Sequence, residues 1–412
     1  MLALLVLAAA PAHAARWSTP SAFDRATCNP PEACVLEPAP RVAVNARGQA
    51  VAAWIDTSDR VRVAVATRPG RFSAAITLAR RGLRPNPTIA ADGMVTVVWE
   101  QGEALRFARG KAGRFGSAKR LASGSKREDG SAHAAAQPDG SVAVVYESED
   151  ELRTVTLSPA GKPSAPATLG EGGFGHDSVR VAADGTVAAC CVAPVAPETG
   201  TKVAVYRGEW TLASVPPLGD DGRIETVFAS TAQLILGVID VRTEGDAGVS
   251  GIPGSAVAGE DHVLGAPRWA SVSKPTRGLA PDVTIDGSGR IVLVYQEKTG
   301  PRAFSRVAPV YASVAGRAGR RLTSKQAYQP TVRPLGSGAI AVWQEPGAKW
   351  GVALERRGRF ASGPSPSGPG PEMGLGEDFH QAYDLATNGS YAVLTWISAD
   401  GSVRVSEFSG VK

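Results

Sequence analysis

The chain has few of the residues that usually carry metal or redox chemistry. It holds four cysteines and five histidines among 412 residues, with no CxxC pair and no cysteine–histidine cluster at zinc-ligand spacing. The GxSxG elbow, HExxH, the phosphate-binding P-loop and the EF-hand loop are also missing. The sequence therefore predicts no metal, no cofactor and no recognised catalytic motif.

Long apolar runs and strong charge are missing as well. No later segment reaches the roughly eighteen uninterrupted apolar residues of a membrane-spanning helix. The formal net charge is +5, and the charged residues are scattered over predicted loops. This pattern favours a solvated basic surface and gives no support to a nucleic-acid partner or a membrane span.

The first fourteen residues resemble a secretory signal. An apolar run from Leu2 to Ala10 precedes Ala12-His13-Ala14, a small-x-small cleavage site. The positively charged residues that usually come first are missing, so either the true start lies upstream or the signal is weak. A buried strand is the alternative, but nothing later would pair with it. We expect a mature chain beginning at Ala15 or Arg16, exported to a secreted or extracytoplasmic location, with residues 15–412 as one domain.

The cysteines agree with export. Cys28 and Cys34 bracket a short Asn-Pro-Pro-Glu-Ala loop, a spacing that can close a disulfide in an oxidising compartment. Cys190 and Cys191 are adjacent in a strand pattern, where neighbouring side chains point to opposite faces. We interpret that pair as two buried small hydrophobes; a strained vicinal disulfide with a ligand-sensing role is the alternative.

A repeat of about 45 residues organises the chain from residue 40 onward. In residues 87–122, a first strand turns at Asp92-Gly93 into Val95–Trp99, and two more short strands follow. One unit cannot bury its own apolar faces, so neighbouring units must stack. The units begin near residues 40, 86, 132, 177, 222, 280, 329 and 379.

The second strand of each unit is apolar on both faces, which is typical of a sheet packed between two others. In most units this strand ends on an aromatic residue. Regular recurrence favours a core role for these aromatics, with a sugar-stacking stripe as the alternative. They are Trp54, Trp99, Tyr146, Tyr295, Trp343 and Trp396.

The eighth unit stops after its third strand, near Phe408. Near the chain start, Arg16-Trp17-Ser18 matches Arg71-Phe72-Ser73, which opens a fourth strand in the first unit. We therefore expect Trp17–Phe23 to pair with the last unit. The predicted fold is an all-β propeller of eight four-stranded blades, closed by the N-terminal strand. Seven blades, with the degenerate fifth unit extruded as a loop, is the alternative.

With these repeats, residues 16–412 resemble the secreted bacterial β-propellers of the sialidase-like kind. The resemblance is one of architecture, since neither the Ser-x-Asp-x-Gly-x-x-Trp box of sialidases nor the WD dipeptide occurs. It implies that a ligand binds at one end of a central channel.

Candidate ligand residues follow from the repeat. Counting back thirteen residues from each core aromatic reaches the start of the innermost strand, and alternation directs the polar residues there to one face. We expect Arg41, Asn86, His133, Glu225 and Asp282 to converge at the channel mouth and to bind a polar ligand. With a small offset, Gln329 and Gln381 complete the set. A water-filled channel is the alternative.

A second group of carboxylates follows the core aromatics. They could hold a hard cation or act as acid and base, but charged residues that simply begin solvent turns are the favoured interpretation. The members are Asp56, Glu100, Glu147, Glu297 and Glu345.

Together these features predict an exported, monomeric, non-catalytic binding protein. We expect its loop face at the channel mouth to bind a glycan, a peptide or a cell-surface component. The alternative is a sialidase-like glycoside hydrolase or a polysaccharide lyase acting at the channel mouth.

Overall fold

The computed structural model describes residues 15–25, 40–123, 132–148, 151–171, 179–181, 186–192, 202–214, 222–229, 234–243, 249–258, 268–269, 277–298, 308–314, 317, 319–368, 370, 383–398 and 400–409. Regular secondary structure within these residues is entirely β. The same residues include no helix that is long and apolar enough to cross a membrane.

The described strands form eight antiparallel sheets, numbered here in chain order. Two strands precede sheet 1: β1 (Arg16–Trp17) and β2 (Ser21–Arg25). Sheets 1 and 2 contain β3 (Arg41–Val44), β4 (Ala50–Ile55), β5 (Val61–Ala66) and β6 (Ile76–Ala79), then β7 (Leu83–Ile89), β8 (Met94–Gln101), β9 (Ala104–Lys111), β10 (Arg114–Phe115) and β11 (Lys119–Ser123). Within the sheets consecutive strands pair with one another, except that β10 and β11 of sheet 2 both pair with β9. Sheets 3 and 4 contain β12 (Ala132–Ala136), β13 (Val142–Ser148), β14 (Glu151–Leu157) and β15 (Ala167–Glu171), then β16 (Val179–Val181), β17 (Val187–Val192), β18 (Lys202–Tyr206) and β19 (Trp210–Ser214).

The second half of the chain repeats this arrangement. Sheets 5 and 6 contain β20 (Gly222–Ala229), β21 (Leu234–Thr243), β22 (Val249–Ala258) and β23 (Arg268–Trp269), then β24 (Arg277–Ile285), β25 (Ile291–Lys298), β26 (Val310–Val314) and β27 (Arg320–Arg321). Sheets 7 and 8 contain β28 (Tyr328–Leu335), β29 (Gly338–Glu345), β30 (Lys349–Arg356) and β31 (Arg359–Ser362), then β32 (Tyr383–Asn388), β33 (Tyr391–Ile397) and β34 (Ser402–Ser409). The degenerate fifth unit thus forms a sheet despite lacking the Asp-Gly turn.

The second strands form the core, as their composition predicts. Strand β4 is buried along its whole length because its two faces pack against different sheets. Val51 and Ala53 belong to an apolar cluster with sheet 2, whereas Ala52 and Trp54 belong to a cluster with sheet 8. The six predicted core aromatics are each at most 3% exposed, which confirms their role in the core.

The N-terminal strands pair with sheet 8, as the missing fourth strand of the last unit predicts. Trp17 lies opposite Phe408 in the β1–β34 ladder, and Ser21 lies opposite Val405 in the β2–β34 ladder. The two strands are separate because Pro20 lies between them and has no N–H to donate to a ladder.

Neighbouring sheets contact each other along the chain, chiefly through their first strands. Sheet 1 also contacts sheet 8, since β3 lies against β32. There the backbone N–H of Val42 donates to Oδ2 of Asp384 at 2.9 Å. The first strands of sheets from both ends of the chain are therefore side by side.

Candidate functional site

A cavity of about 310 Å³ lies among the first strands of sheets 1, 2, 3, 7 and 8. Arg41, Asn86 and His133 line it and occupy equivalent positions in β3, β7 and β12. Each lies opposite the residue that precedes the core aromatic of its sheet: Ala53, Val98 and Val145 respectively. The structure thus brings three of the five predicted ligand residues together at one cavity.

The equivalent residues in sheets 7 and 8 are Thr331 and Asp384, and not Gln329 and Gln381. Thr331 lies opposite Val342, and Asp384 lies opposite Thr395, next to the core aromatics of those sheets. Gln381 is outside the described residues.

Turn length explains the difference. In sheet 1, Asn45 pairs with Gln49 around a three-residue turn in which Gly48 takes φ +71°. In sheet 8, Asn388 lies directly opposite Tyr391, so the turn has two residues. Each shorter turn brings the first strand one residue closer to the aromatic. The Asn-Gly pair at residues 388–389 is the sequence signal that could have identified Asp384.

Asn86 links sheet 2 to sheet 3. Its Oδ1 accepts the backbone N–H of Ala134 at 3.0 Å, and its Nδ2 lies 3.5 Å from Nδ1 of His133. The first strand of a sheet has one edge without a ladder partner, so its N–H groups need other acceptors. The Asn86 amide meets part of that need and also positions the imidazole of His133.

Carboxylates at equivalent positions meet the same need in two other sheets. Oδ2 of Asp384 accepts from the N–H of Val42, and Oδ2 of Asp282 accepts from the N–H of Val332, both at 2.9 Å. This contact recurs between sheets 2 and 3, 6 and 7, and 8 and 1. At these three repeat positions the polar side chain therefore joins one sheet to the next.

Asp282 is buried, unlike the three predicted ligand residues at the cavity. It is 4% exposed and does not line the cavity formed by the described residues. Nη1 of Arg333 donates to its Oδ2 at 2.7 Å, and the same Nη1 donates to the carbonyl of Val332. Arg333 reaches the cavity wall from sheet 7, but its charge is balanced by Asp282.

Arg41 differs from Arg333 in its surroundings. Its side chain is half-buried, and it makes no hydrogen bond or ion pair with any other residue that the structure describes. Asp384 lies in the same lining but forms no ion pair with it within the described part of the chain. Arg41 therefore lines the cavity without an ion pair to any described residue.

For the remaining predicted residues, the side chain or the whole residue is outside the part of the chain that the structure describes. Glu225 is in β20 at a register shift between Ile224 and Thr226, and its side chain is not among those described. Cys28 and Cys34 are outside the described residues, so their bridge stays a prediction.

The second carboxylate group is structural wherever the structure describes its contacts. Asp56 accepts the backbone N–H groups of Ser58 and Arg60, at 3.0 and 3.1 Å, and so closes a turn. Glu100 pairs with Arg84 at 3.3 Å, and Glu345 pairs with Lys325 at 2.8 Å. No three metal-ligating residues cluster among the described side chains.

The described lining is rich in side chains that form hydrogen bonds. Asp384 is the one carboxylate among the described lining residues. Most glycoside hydrolases need a pair of carboxylates flanking the scissile bond. The described lining has no such pair, and its donors are suited to holding a polar ligand.

Comparison with known proteins finds structural likeness only. No protein-family model matches the chain, and no curated protein matches it in sequence. A lectin from Burkholderia pseudomallei is 15% identical with a TM-score of 0.48, covering 81% of this chain and 99% of the lectin. A polysaccharide lyase is 11% identical with a TM-score of 0.47, covering 91% and 90% of the two chains. An arabinanase from Penicillium chrysogenum, complexed with arabinobiose, is 13% identical with a TM-score of 0.40, covering 80% and 94%. At these values the similarity carries no argument about what this chain does.

Proposed function

We propose that the eight sheets are the blades of one propeller, closed by β1 and β2. The pairing of Trp17 with Phe408 and the Val42–Asp384 hydrogen bond support this arrangement, because both join the two ends of the chain. Closure of this kind leaves only short, protected sheet edges. The cavity would then lie at the end of the central channel.

We propose further that the protein is a non-catalytic binding protein and that this cavity is its binding site. The observation that carries the proposal is the meeting of Arg41, Asn86 and His133, from three successive sheets, around one cavity. A volume of about 310 Å³ is at the lower end of the range for small-molecule sites. The ligand is a polar molecule, or one polar unit of a larger glycan, peptide or cell-envelope component.

A binding screen tests this function. The chain from residue 15 onward would be applied to glycan and peptide arrays beside the variants R41A and H133A. The matched control is R114A, because Arg114 is an exposed arginine in β10, remote from the cavity lining. Binding should survive R114A and weaken in R41A and H133A.

A polysaccharide-degradation assay separates binding from catalysis. We expect no release of reducing ends and no unsaturated products from any glycan that binds. Cleavage that depends on Asp384 would favour the hydrolase or lyase alternative. If both R41A and H133A still bind every ligand that the wild type binds, the binding site lies elsewhere.

Export is part of the same proposal. A mature chain starting at Ala15 or Arg16 would begin one or two residues before Trp17, the first paired residue whose side chain is buried. Intact-mass measurement of secreted protein, with and without reduction, checks the start and the Cys28–Cys34 bridge. Alkylation of the thiols of both Cys28 and Cys34 in unreduced, denatured protein would exclude the bridge.

A further inference from the structure

The charge balance of the cavity points to the chemical class of its ligand. Two arginines line it, and they are not equivalent. The Arg333 guanidinium is balanced by the buried carboxylate of Asp282, at 2.7 Å. Arg41 has no such partner among the described residues, so one positive charge faces the cavity without a compensating ion pair.

Asp384, the one carboxylate of the described lining, keeps its negative charge but is hydrogen-bonded to a neighbouring strand. Oδ2 of Asp384 accepts the backbone N–H of Val42, a contact that joins sheet 8 to sheet 1. Its position is therefore fixed by the fold, and it forms no ion pair with Arg41 in the described structure. A ligand group that binds Arg41 does not need to displace Asp384.

The shape of the lining also matters. Apart from charged, amide and imidazole groups, the described lining consists of aliphatic residues, prolines and threonines, and it includes no phenylalanine, tyrosine or tryptophan. Aromatic side chains supply much of the contact area in many ligand sites. Without them, recognition here depends on hydrogen bonds and charge.

Arginine is the side chain best suited to such recognition. Its planar guanidinium matches a carboxylate in a two-point contact, and charge-assisted hydrogen bonds are about twice as strong as neutral ones. Asn86 and His133 stand in the neighbouring sheets and can contact the rest of a bound molecule.

We propose that the ligand carries a carboxylate and that Arg41 binds it. This inference rests on the proposed function, since it names the ligand class of the same cavity. The carboxylate could come from an acidic sugar or from the end of a peptide. The ligand's hydroxyl or N–H groups then find acceptors in Asp384 and Asn86.

Matched probe pairs test the inference. D-glucuronate and D-glucose form one pair, and N-acetyl-alanine and its amide form the other; within each pair the carboxylate is the main difference. Binding to the chain from residue 15 onward would be measured by titration calorimetry or ligand-observed NMR at low salt. We expect at least one acid to bind about tenfold or more tightly than its neutral partner. Added salt should weaken the binding of the acid and leave the binding of its neutral partner unchanged. The effect of salt is smaller at a half-buried site than at an exposed one.

The variants assign the preference to Arg41. R41A should remove the difference between acid and neutral partner, whereas R114A should keep it. The probe pair in which the acid binds more tightly shows whether the carboxylate comes from an acidic sugar or from the end of a peptide. Equal binding of acid and neutral partner, or a preference that persists in R41A, would overturn the inference.

The result is separable from the proposed function. If neutral glycans bind and depend on His133 but not on Arg41, the cavity is a binding site and the carboxylate assignment is wrong. If neither acid binds at millimolar concentration, the carboxylate assignment is also wrong, and the arrays decide the proposed function independently.

Discussion

The strongest test of the architecture is the substitution W17A. Trp17 is 8% exposed, and its ring lies 5.1 Å from the ring of Phe408 in the β1–β34 pair. Its Nε1–H donates to the carbonyl of Pro364 at 2.8 Å. One side chain thus joins the N-terminal strand to sheet 8 and to the segment that follows sheet 7.

The size of the effect follows from burial. Replacing a buried tryptophan with alanine removes its apolar contacts and leaves a cavity, at a cost of about 3–5 kcal/mol. W17F keeps an aromatic ring against Phe408 but removes the indole N–H. It should therefore lose about 1 kcal/mol, the typical net contribution of one hydrogen bond.

The assay is equilibrium urea denaturation of the chain from residue 15 onward, followed by near-ultraviolet circular dichroism. The control is R16A, since Arg16 is exposed in the same strand and should change stability by less than about 0.5 kcal/mol. The order of stability should be wild type and R16A, then W17F, then W17A. A W17A protein within about 1 kcal/mol of wild type would refute the idea that β1 completes sheet 8.

Substitutions at three other positions test the contacts between strands and sheets. In G351A a Cβ would lie 1.9 Å from Nε1 of Trp343, so the variant should lose about 1–3 kcal/mol in urea denaturation; an unchanged midpoint would contradict this close approach. D282A would remove the acceptor of the Val332 N–H and the carboxylate that pairs with Arg333, so it should cost about 3–5 kcal/mol, whereas D282N keeps an acceptor and should cost less; equal losses would contradict a stabilising role for the accepting oxygen. Burial raises the pKa of Glu407, whose Oε2 accepts the N–H of Gly70 in sheet 1. Between the ordinary and the raised pKa the folded chain keeps a proton that the unfolded chain has lost, so the free energy of unfolding falls as pH rises through that window. E407Q cannot ionise and should be more stable than wild type above the window, with the advantage vanishing at acid pH; a difference that is independent of pH would refute this.

Much of the fold could be predicted because its signals are local. Alternation of apolar residues, Asp-Gly turns and a terminal aromatic such as Trp99 each act within one hairpin. The match between residues 16–18 and 71–73 is of another kind, because it compares repeat positions along the chain, and it predicted the pairing of Trp17 with the last sheet. Burial of Trp54 and Trp396 follows because the second strand of a unit is apolar on both faces.

The candidate site was only partly predictable. Counting back from the aromatics found Arg41, Asn86 and His133, because sheets 1 to 3 share the three-residue turn. The same count missed Asp384, since the turn at Gly389 is one residue shorter. The length of the turn therefore sets which residue of the first strand lies opposite the residue that precedes the aromatic.

The sequence by itself determined the repeat, the core strands and the residues available at the inner edge of each sheet. Only the tertiary structure decided what each of those residues does. Asp282 and Asp384 both accept a backbone N–H from the next sheet, yet Asp282 is buried beneath Arg333 whereas Asp384 lines the cavity. Arg41 remains without an ion pair among the described residues. These differences arise between sheets, where the partners are distant in sequence, so no pattern within a single repeat can encode them.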